Sequence, residues 1–201
     1  MAGSQRSPRY ALSFTSGALL MREALIAAPL YLREHDWTKV RELIWENNLL
    51  QSRTVATGQR VAREVAQRLG VLTDDELELL VDATTSERGH LMWAAASRRY
   101  DLIGEFAEEV LRERFLTLAG KVTYVEFDSF YRSKAIWHDE LDGITDSSYK
   151  KVRQVVFKMM VEAGLLSNGG MIEPAVPSAR VVKCLNRRTP SDIRFFPTRA
   201  A

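Results

Sequence analysis

The chain has 201 residues, of which 46 % are hydrophobic and 27 % charged, with a net charge of +2. That length supports one large or two small cores, the composition is that of an ordinary globular protein, and the near-neutral total excludes a strong whole-molecule field. A single cysteine, Cys184, excludes an internal disulfide and a cysteine-based zinc site, and fits a reducing, cytoplasmic setting.

Residues 1–12 read as a flexible polar start, with no apolar run or cleavage signal before Ser13. Thr15 or Ser16 is expected to cap a helix running toward Arg33–Glu34, kinked or split by Pro29. Its longest uncharged run, Ala24 to Leu32, falls far short of the roughly 20 residues of a membrane span, so it reads as a buried helix with no membrane partner. Asp36 caps a second helix, with Trp37, Val40 and Leu43–Ile44 facing inward. Thr54 caps a third, closed by Gly70, with Val55, Ala62, Val65 and Leu69 as its apolar stripe. Arg60, Arg63, Gln67 and Arg68 fall outside that stripe, so residues 36–69 outline a helix-turn-helix with an arginine-rich second helix.

Thr73 and Glu76 form a capping box, and the acidic run around them is explained by attraction to a helix N-terminus better than by a metal site. Ser86 or Gly89 restarts an apolar helix ending at Arg98–Arg99, and Asp101 caps another that stops at Gly120. These two helices are expected at the packing centre. Val122–Val125 reads as a short extended link, and Phe127 to Leu141 as a helix with Phe127, Phe130, Tyr131 and Ile136–Trp137 in the core.

The stretch from Thr145 to Pro174 reads as a cap, an amphipathic helix, a glycine stop and a hairpin. Tyr149, Val152, Val156, Met159 or Met160, and Ala163 recur at spacings of three and four, which places them on one face. Ser147, Lys150, Lys151, Gln154 and Lys158 fall on the other, with Arg153 on its flank. Gly164 stops the helix, Asn168–Gly169–Gly170 supplies positive φ for a tight turn, and Val181–Val182 reads as a returning strand that carries Cys184. Phe195–Phe196 is expected to dock, and residues 197–201 to fray.

From residue 147 onward ten basic residues face three acidic ones, a net +7 that leaves −5 for the preceding part. Such a concentration suits a polyanion-binding surface. The expected mechanism is phosphate neutralisation by Lys150, Lys151, Arg153 and Lys158, with Gln154 on the same face and Arg187 and Arg188 adding charge nearby. Ser147 and Ser148 offer hydroxyl and backbone N–H together to a phosphate, and Arg53, Arg60 and Arg63 form a second contact surface. The fold class is mainly α: a helical bundle with helix-turn-helix units and a C-terminal winged helix-turn-helix carrying a small β-hairpin. The expected division is an N-terminal helical domain over residues 13–122 and a winged-helix-like domain over 123–201.

No catalytic residue, metal site, cofactor or small-molecule substrate is read from the chain. His138–Asp139–Glu140 is the one clustered set of donors, and adjacent helical residues diverge by roughly 100°. The chain has no phosphate-loop, dinucleotide or nucleophile-elbow motif.

Three segments carry a family resemblance: SFTSGALLMREALIAAPLYLREHDWTKVRELIWENNLLQSRTVATGQRVAREVAQRLGVLTDDELELL, RRYDLIGEFAEEVLRERF and FYRSKAIWHDELDGITDSSYKKVRQVVFKMMVEAGLL, together most of residues 13–166. In order and spacing they resemble the BrxA family of BREX bacteriophage-exclusion systems. The resemblance implies a cytoplasmic, all-helical protein with helix-turn-helix-like units that binds double-stranded DNA, and it offers no settled catalytic motif to carry over. It also implies work beside a methyltransferase, an ATPase and a phosphatase-like component. A scaffold role among those components and an antitermination-like RNA-binding role remain alternatives to DNA binding.

Overall fold

The computed structural model describes residues 9–199. Eleven α-helices are described: α1 (Met21–Glu34), α2 (Trp37–Glu46), α3 (Val55–Leu69), α4 (Asp74–Asp82), α5 (Thr85–Arg99), α6 (Asp101–Phe106), α7 (Glu113–Leu116), α8 (Tyr124–Ala135), α9 (Asp139–Asp142), α10 (Asp146–Glu162) and α11 (Ala179–Leu185). A π-helical segment, Ala107–Arg112, makes α6 and α7 one continuous rod.

The caps follow local chemistry. Asp36 accepts from the backbone N–H of Thr38, and Thr54, Thr73 and Thr145 accept from N–H groups of the first turns of α3, α4 and α10. Each bond satisfies a donor that an uncapped helix start would leave unpaired. Thr84, rather than Ser86 or Gly89, opens α5 through a capping box with Glu87. Asp101 is the first residue of α6, not its cap. α1 begins at Met21, after a 3-10 turn over Ser13–Thr15, and runs unbroken through Pro29.

α5 is the axis. Residues 89–97 are buried on every side, so its apolar surface is continuous rather than a stripe. Trp93 is fully buried and its indole N–H donates to the Phe195 carbonyl at 2.8 Å. Gly89 admits the end of α10 against α5, since a Cβ there would lie 3.3 Å from Ala163 Cα. The buried residues from Tyr10 to Phe196 form one hydrophobic cluster. Tyr10 is buried, and its N–H donates to Glu140 at 2.7 Å.

Several expectations fail for reasons of packing. The segment after Gly164 makes hairpin-like hydrogen bonds, Ser167 N–H to Met171 O at 2.8 Å and Glu173 N–H to Leu165 O at 3.0 Å. Only isolated bridges result, Leu166 with Ile172 and Lys121 with Met171, and no strand forms among the described residues. The turn itself is as expected, and Gly170 takes φ +78° with the Val122 carbonyl where a Cβ would sit. Val181–Val182 lies in α11 rather than in a returning strand, because Ser178 opens a helix whose inner face, Val181, Cys184 and Leu185, is buried. The expected helix from Phe127 to Leu141 ends at Ala135, and its Ile136 and Trp137 are 72 % and 80 % exposed instead of core. Val55 is also exposed. Phe195 and Phe196 dock as expected, and Pro197 with them: its carbonyl accepts from Ala175 N–H at 2.9 Å, so residues 197–199 begin tied down rather than frayed.

Two buried ionic clusters tie the elements together. Arg68, expected outside the α3 stripe, is fully buried: it pairs with Glu64 at 2.8 Å and donates to the carbonyls of Ala18 and Phe14. Tyr100 donates to the same Glu64 at 2.6 Å. Arg98 makes a bidentate pair with Glu76, both bonds 2.7 Å, and reaches Asp192 at 2.7 Å. Burial alone raises the Glu76 carboxyl, but hydrogen bonds from Arg98 and from the Thr73 N–H outweigh it and hold it below its ordinary 4.5.

Arg98→Met is therefore expected to cost about 3 kcal/mol or more in urea unfolding, because it strands two buried carboxylates. Since Glu76 is depressed in the folded state, its contribution is complete above pH 4.5 and is lost as pH falls through its folded value. Stability measured between pH 5 and pH 3 should fall for the wild type and more gently for Glu76→Gln.

Candidate nucleic-acid interface

α10 buries Val152, Val155, Val156, Met159 and Met160 and exposes Ser147, Ser148, Lys150, Lys151, Gln154 and Lys158. The 3.6-residue period thus brings six of the expected contact residues onto one solvent-facing surface. Thr145, at the N-cap, gathers both serines: its hydroxyl lies 3.0 Å from each of theirs and accepts from Ser148 N–H at 3.2 Å. Lys150 and Lys158 reach Asp146 at 3.3 Å and Glu162 at 3.7 Å on their own helix, with lysine side chains 66 % and 65 % exposed. Pairs of this kind are solvated, contribute about 0.3–0.5 kcal/mol, and give way readily to a polyanion. Lys151 has no carboxylate within ion-pair distance among the described residues.

Arg153 behaves differently. Its guanidinium bonds both carboxylate oxygens of Asp128 at 2.7 and 2.8 Å and lies 4.2 Å from the ring centroid of Tyr124 and 5.4 Å from that of Tyr149. Tyr149 also donates to Asp128. Burial raises the Asp128 carboxyl, yet those hydrogen bonds hold it below its ordinary range. Burial first, and Asp128 second, push Tyr149 up to about 12. Arg153 therefore fastens α10 to α8 and is not free for a ligand.

Arg187 and Arg188 are engaged within the fold, by α4 and the residues beside it. Arg187 pairs with Asp75 at 2.5 Å, and Arg188 donates to the Val71 carbonyl at 2.8 Å beside Glu76 and Asp192. Arg180 and Arg194 are likewise paired, with Asp82 and Glu87 and with Glu108. Half of the ten C-terminal cations thus meet carboxylates from other elements, so the charge segregation seen in the sequence largely closes on itself.

Arg53, Arg60 and Arg63 are exposed at the start and along the outer side of α3, with no carboxylate in ion-pair distance among the described residues. Sequence reasoning missed Trp45, which lies beside this surface and is 51 % exposed. The signal was present: Trp37, Val40 and Ile44 define the inward stripe of α2, and the residue after Ile44 turns roughly 100° off it.

Among the described residues, no group of three or more His, Cys, Asp or Glu side chains could hold a metal ion, and no helix is long and apolar enough to cross a membrane. Cys184 is buried against Glu76, and burial pushes its thiol up to about 12.

Fold and surface define a class: a small, mainly helical protein that turns two basic helix faces to solvent. The BrxA family profile matches residues 8–189, and the chain belongs to that family. It is 27 % identical over 148 residues to the BREX protein BrxA of Escherichia coli O9:H4 (strain HS), covering 74 % of this chain and 70 % of that one. It is 26 % identical over 162 residues to the BREX protein BrxA of Paramagnetospirillum magneticum, covering 80 % and 81 %. A crystal structure of an uncharacterized protein from Magnetospirillum magneticum matches with a TM-score of 0.78 at 23 % identity, over 93 % of this chain and 97 % of that one. That likeness establishes the fold.

The two kinds of cation on α10 are separable by stability. Arg153→Gln is expected to lower unfolding free energy by about 1–2 kcal/mol through the unsatisfied Asp128, whereas Lys151→Gln should change it by less than about 0.5 kcal/mol; thermal melts of the two variants test this.

Proposed function

We propose that this BREX component is a non-enzymatic, cytoplasmic protein that binds double-stranded DNA mainly through the phosphate backbone. The observation that carries the reading is the exposed row Lys150, Lys151, Gln154 and Lys158 on α10, with Ser147 and Ser148 at the helix N-terminus and the opposite face locked into the core. Lysines on adjacent turns can neutralise successive phosphates, and the serine hydroxyls and first-turn N–H groups favour an anion at the same end. The turn at Asn168–Gly170 takes the place of a wing, offering backbone and short polar side chains instead of a strand pair. Arg53, Arg60 and Arg63 on α3 supply a second basic contact. With no internal fixation of Lys151 and only solvated pairs for Lys150 and Lys158, docking requires no buried ion pair to break.

The family name of its relatives supports a place among the other BREX components. On this reading the protein brings duplex DNA to the methyltransferase, ATPase and phosphatase-like proteins of the system.

Combined Lys150→Glu, Lys151→Glu and Lys158→Glu substitution is expected to abolish duplex binding in a gel shift while the protein stays folded, its stability lowered by only about 1–2 kcal/mol through the two reversed surface pairs. In the wild type, log Kd should rise linearly with log salt, by roughly 0.9 per phosphate contact. Binding by the triple variant equal to wild type sinks the proposal.

A further inference from the structure

Trp45 stands between two clefts on the outer surface of α2 and α3. One, of about 290 Å³, is walled by Trp45, Ala62 and the polar side chains of Arg41, Glu42, Gln59 and Arg63. The other, of about 260 Å³, shares the indole and is lined by Ile44, Leu50 and the exposed Val55 as well as by Asn48, Arg53 and Thr54. A tryptophan 51 % exposed on a helix whose neighbours Val40 and Ile44 are fully buried is held rigidly by that helix while its ring stays open to solvent. Gly58 keeps the second cleft's wall close, since a Cβ there would press on the Ser52 side chain at 3.3 Å.

Charge and donor pattern decide what such a ring accepts. The two clefts carry three arginines against one carboxylate, and neither Arg53 nor Arg63 has an internal ion-pair partner among the described residues. An apolar protein anchor would leave Arg41, Glu42, Gln59 and Arg63 facing greasy surface. An unpaired nucleobase fits all of them: its π-face stacks on the indole, its ring-edge amino and carbonyl groups meet Glu42 and Gln59, and the flanking phosphates meet the arginines. A base inside a duplex cannot present its face in this way. We infer that the α2–α3 surface binds an unpaired base of a single-stranded polynucleotide, stacked on Trp45, distinct from the duplex contact at α10. It rests on the preceding reading only in treating the α3 arginines as phosphate contacts.

Trp137 is the built-in control, being more exposed yet lining neither cleft. The test is fluorescence anisotropy with a labelled 12-nucleotide single strand, as DNA and as RNA, and with the matching DNA duplex. Wild type is expected to bind at least one of the single strands. Trp45→Ala should weaken that binding roughly five-fold or more, as loss of one base–aromatic stack does. Duplex affinity should change less than two-fold, Trp45→Phe should stay close to wild type, and Trp137→Ala should have no effect. Indole emission should be quenched by the bound strand in wild type and not in Trp45→Phe, a readout independent of any folding defect. Failure of wild type to bind either strand, a Trp45→Ala loss under five-fold or shared with the duplex, or quenching that survives in Trp45→Phe overturns the inference. If the triple α10 variant keeps duplex binding, the α10 proposal falls and these measurements still decide this one.

Discussion

Arg98 cannot leave the interior without stranding Glu76 and Asp192 in a place where water does not reach them. That constraint organises the molecule. Glu76 belongs to α4, Arg98 to the end of α5, and Asp192 to the C-terminal 3-10 turn, so one guanidinium fixes three distant pieces of chain. α5 is held in the middle because its residues 89–97 are buried on every side, and Trp93 anchors the same C-terminal turn by donating to Phe195. On the other side Arg68, Glu64 and Tyr100 repeat the arrangement between α3, the N-terminal turn and the end of α5. Buried charges of this kind add little net stability over an apolar core, but they are costly to break singly and so favour one arrangement of the helices.

The same electrostatics set which cations face solvent unopposed. The acidic N-terminal helices and the basic C-terminal segment attract each other, and the arginines of that segment are largely consumed in the contact. Arg153, Arg180, Arg187, Arg188 and Arg194 are structural by partner, whatever their charge contributes to the field. Among the described residues the α10 lysines and the α3 arginines beside Trp45 stay outward in two groups, with Lys39, Lys121, Arg132 and Lys183 exposed singly elsewhere. Arginine's fork suits fixed pairing with carboxylates, whereas lysine's solvated ammonium remains exchangeable, and the division on α10 between Arg153 and its lysine neighbours follows that chemistry.

Much of the fold was legible one helix at a time. Asp36, Thr54, Thr73 with Glu76, and Thr145 cap the helices they were expected to cap, and Gly164, at φ +71°, stops α10. The outward face of α10 was legible for the same reason: a 3.6-residue period is written within the segment itself. The failures share a cause as well. Trp137 sits outside the core and Val181–Val182 is helical, each because the neighbours that decide the matter come from elsewhere in the chain.

By itself, then, the order of residues determined the helical class, the capped starts of α2, α3, α4 and α10 and the two solvated basic faces, because caps, stops and amphipathic stripes act over three or four neighbours. Tertiary structure alone decided that Arg68 is buried, that Arg153 clasps Asp128, and that Arg187 and Arg188 turn toward α4. It likewise left Trp45 open between two clefts. An ion pair across a hundred residues depends on which helix packs on which, and that information is held in the whole core rather than in any one segment.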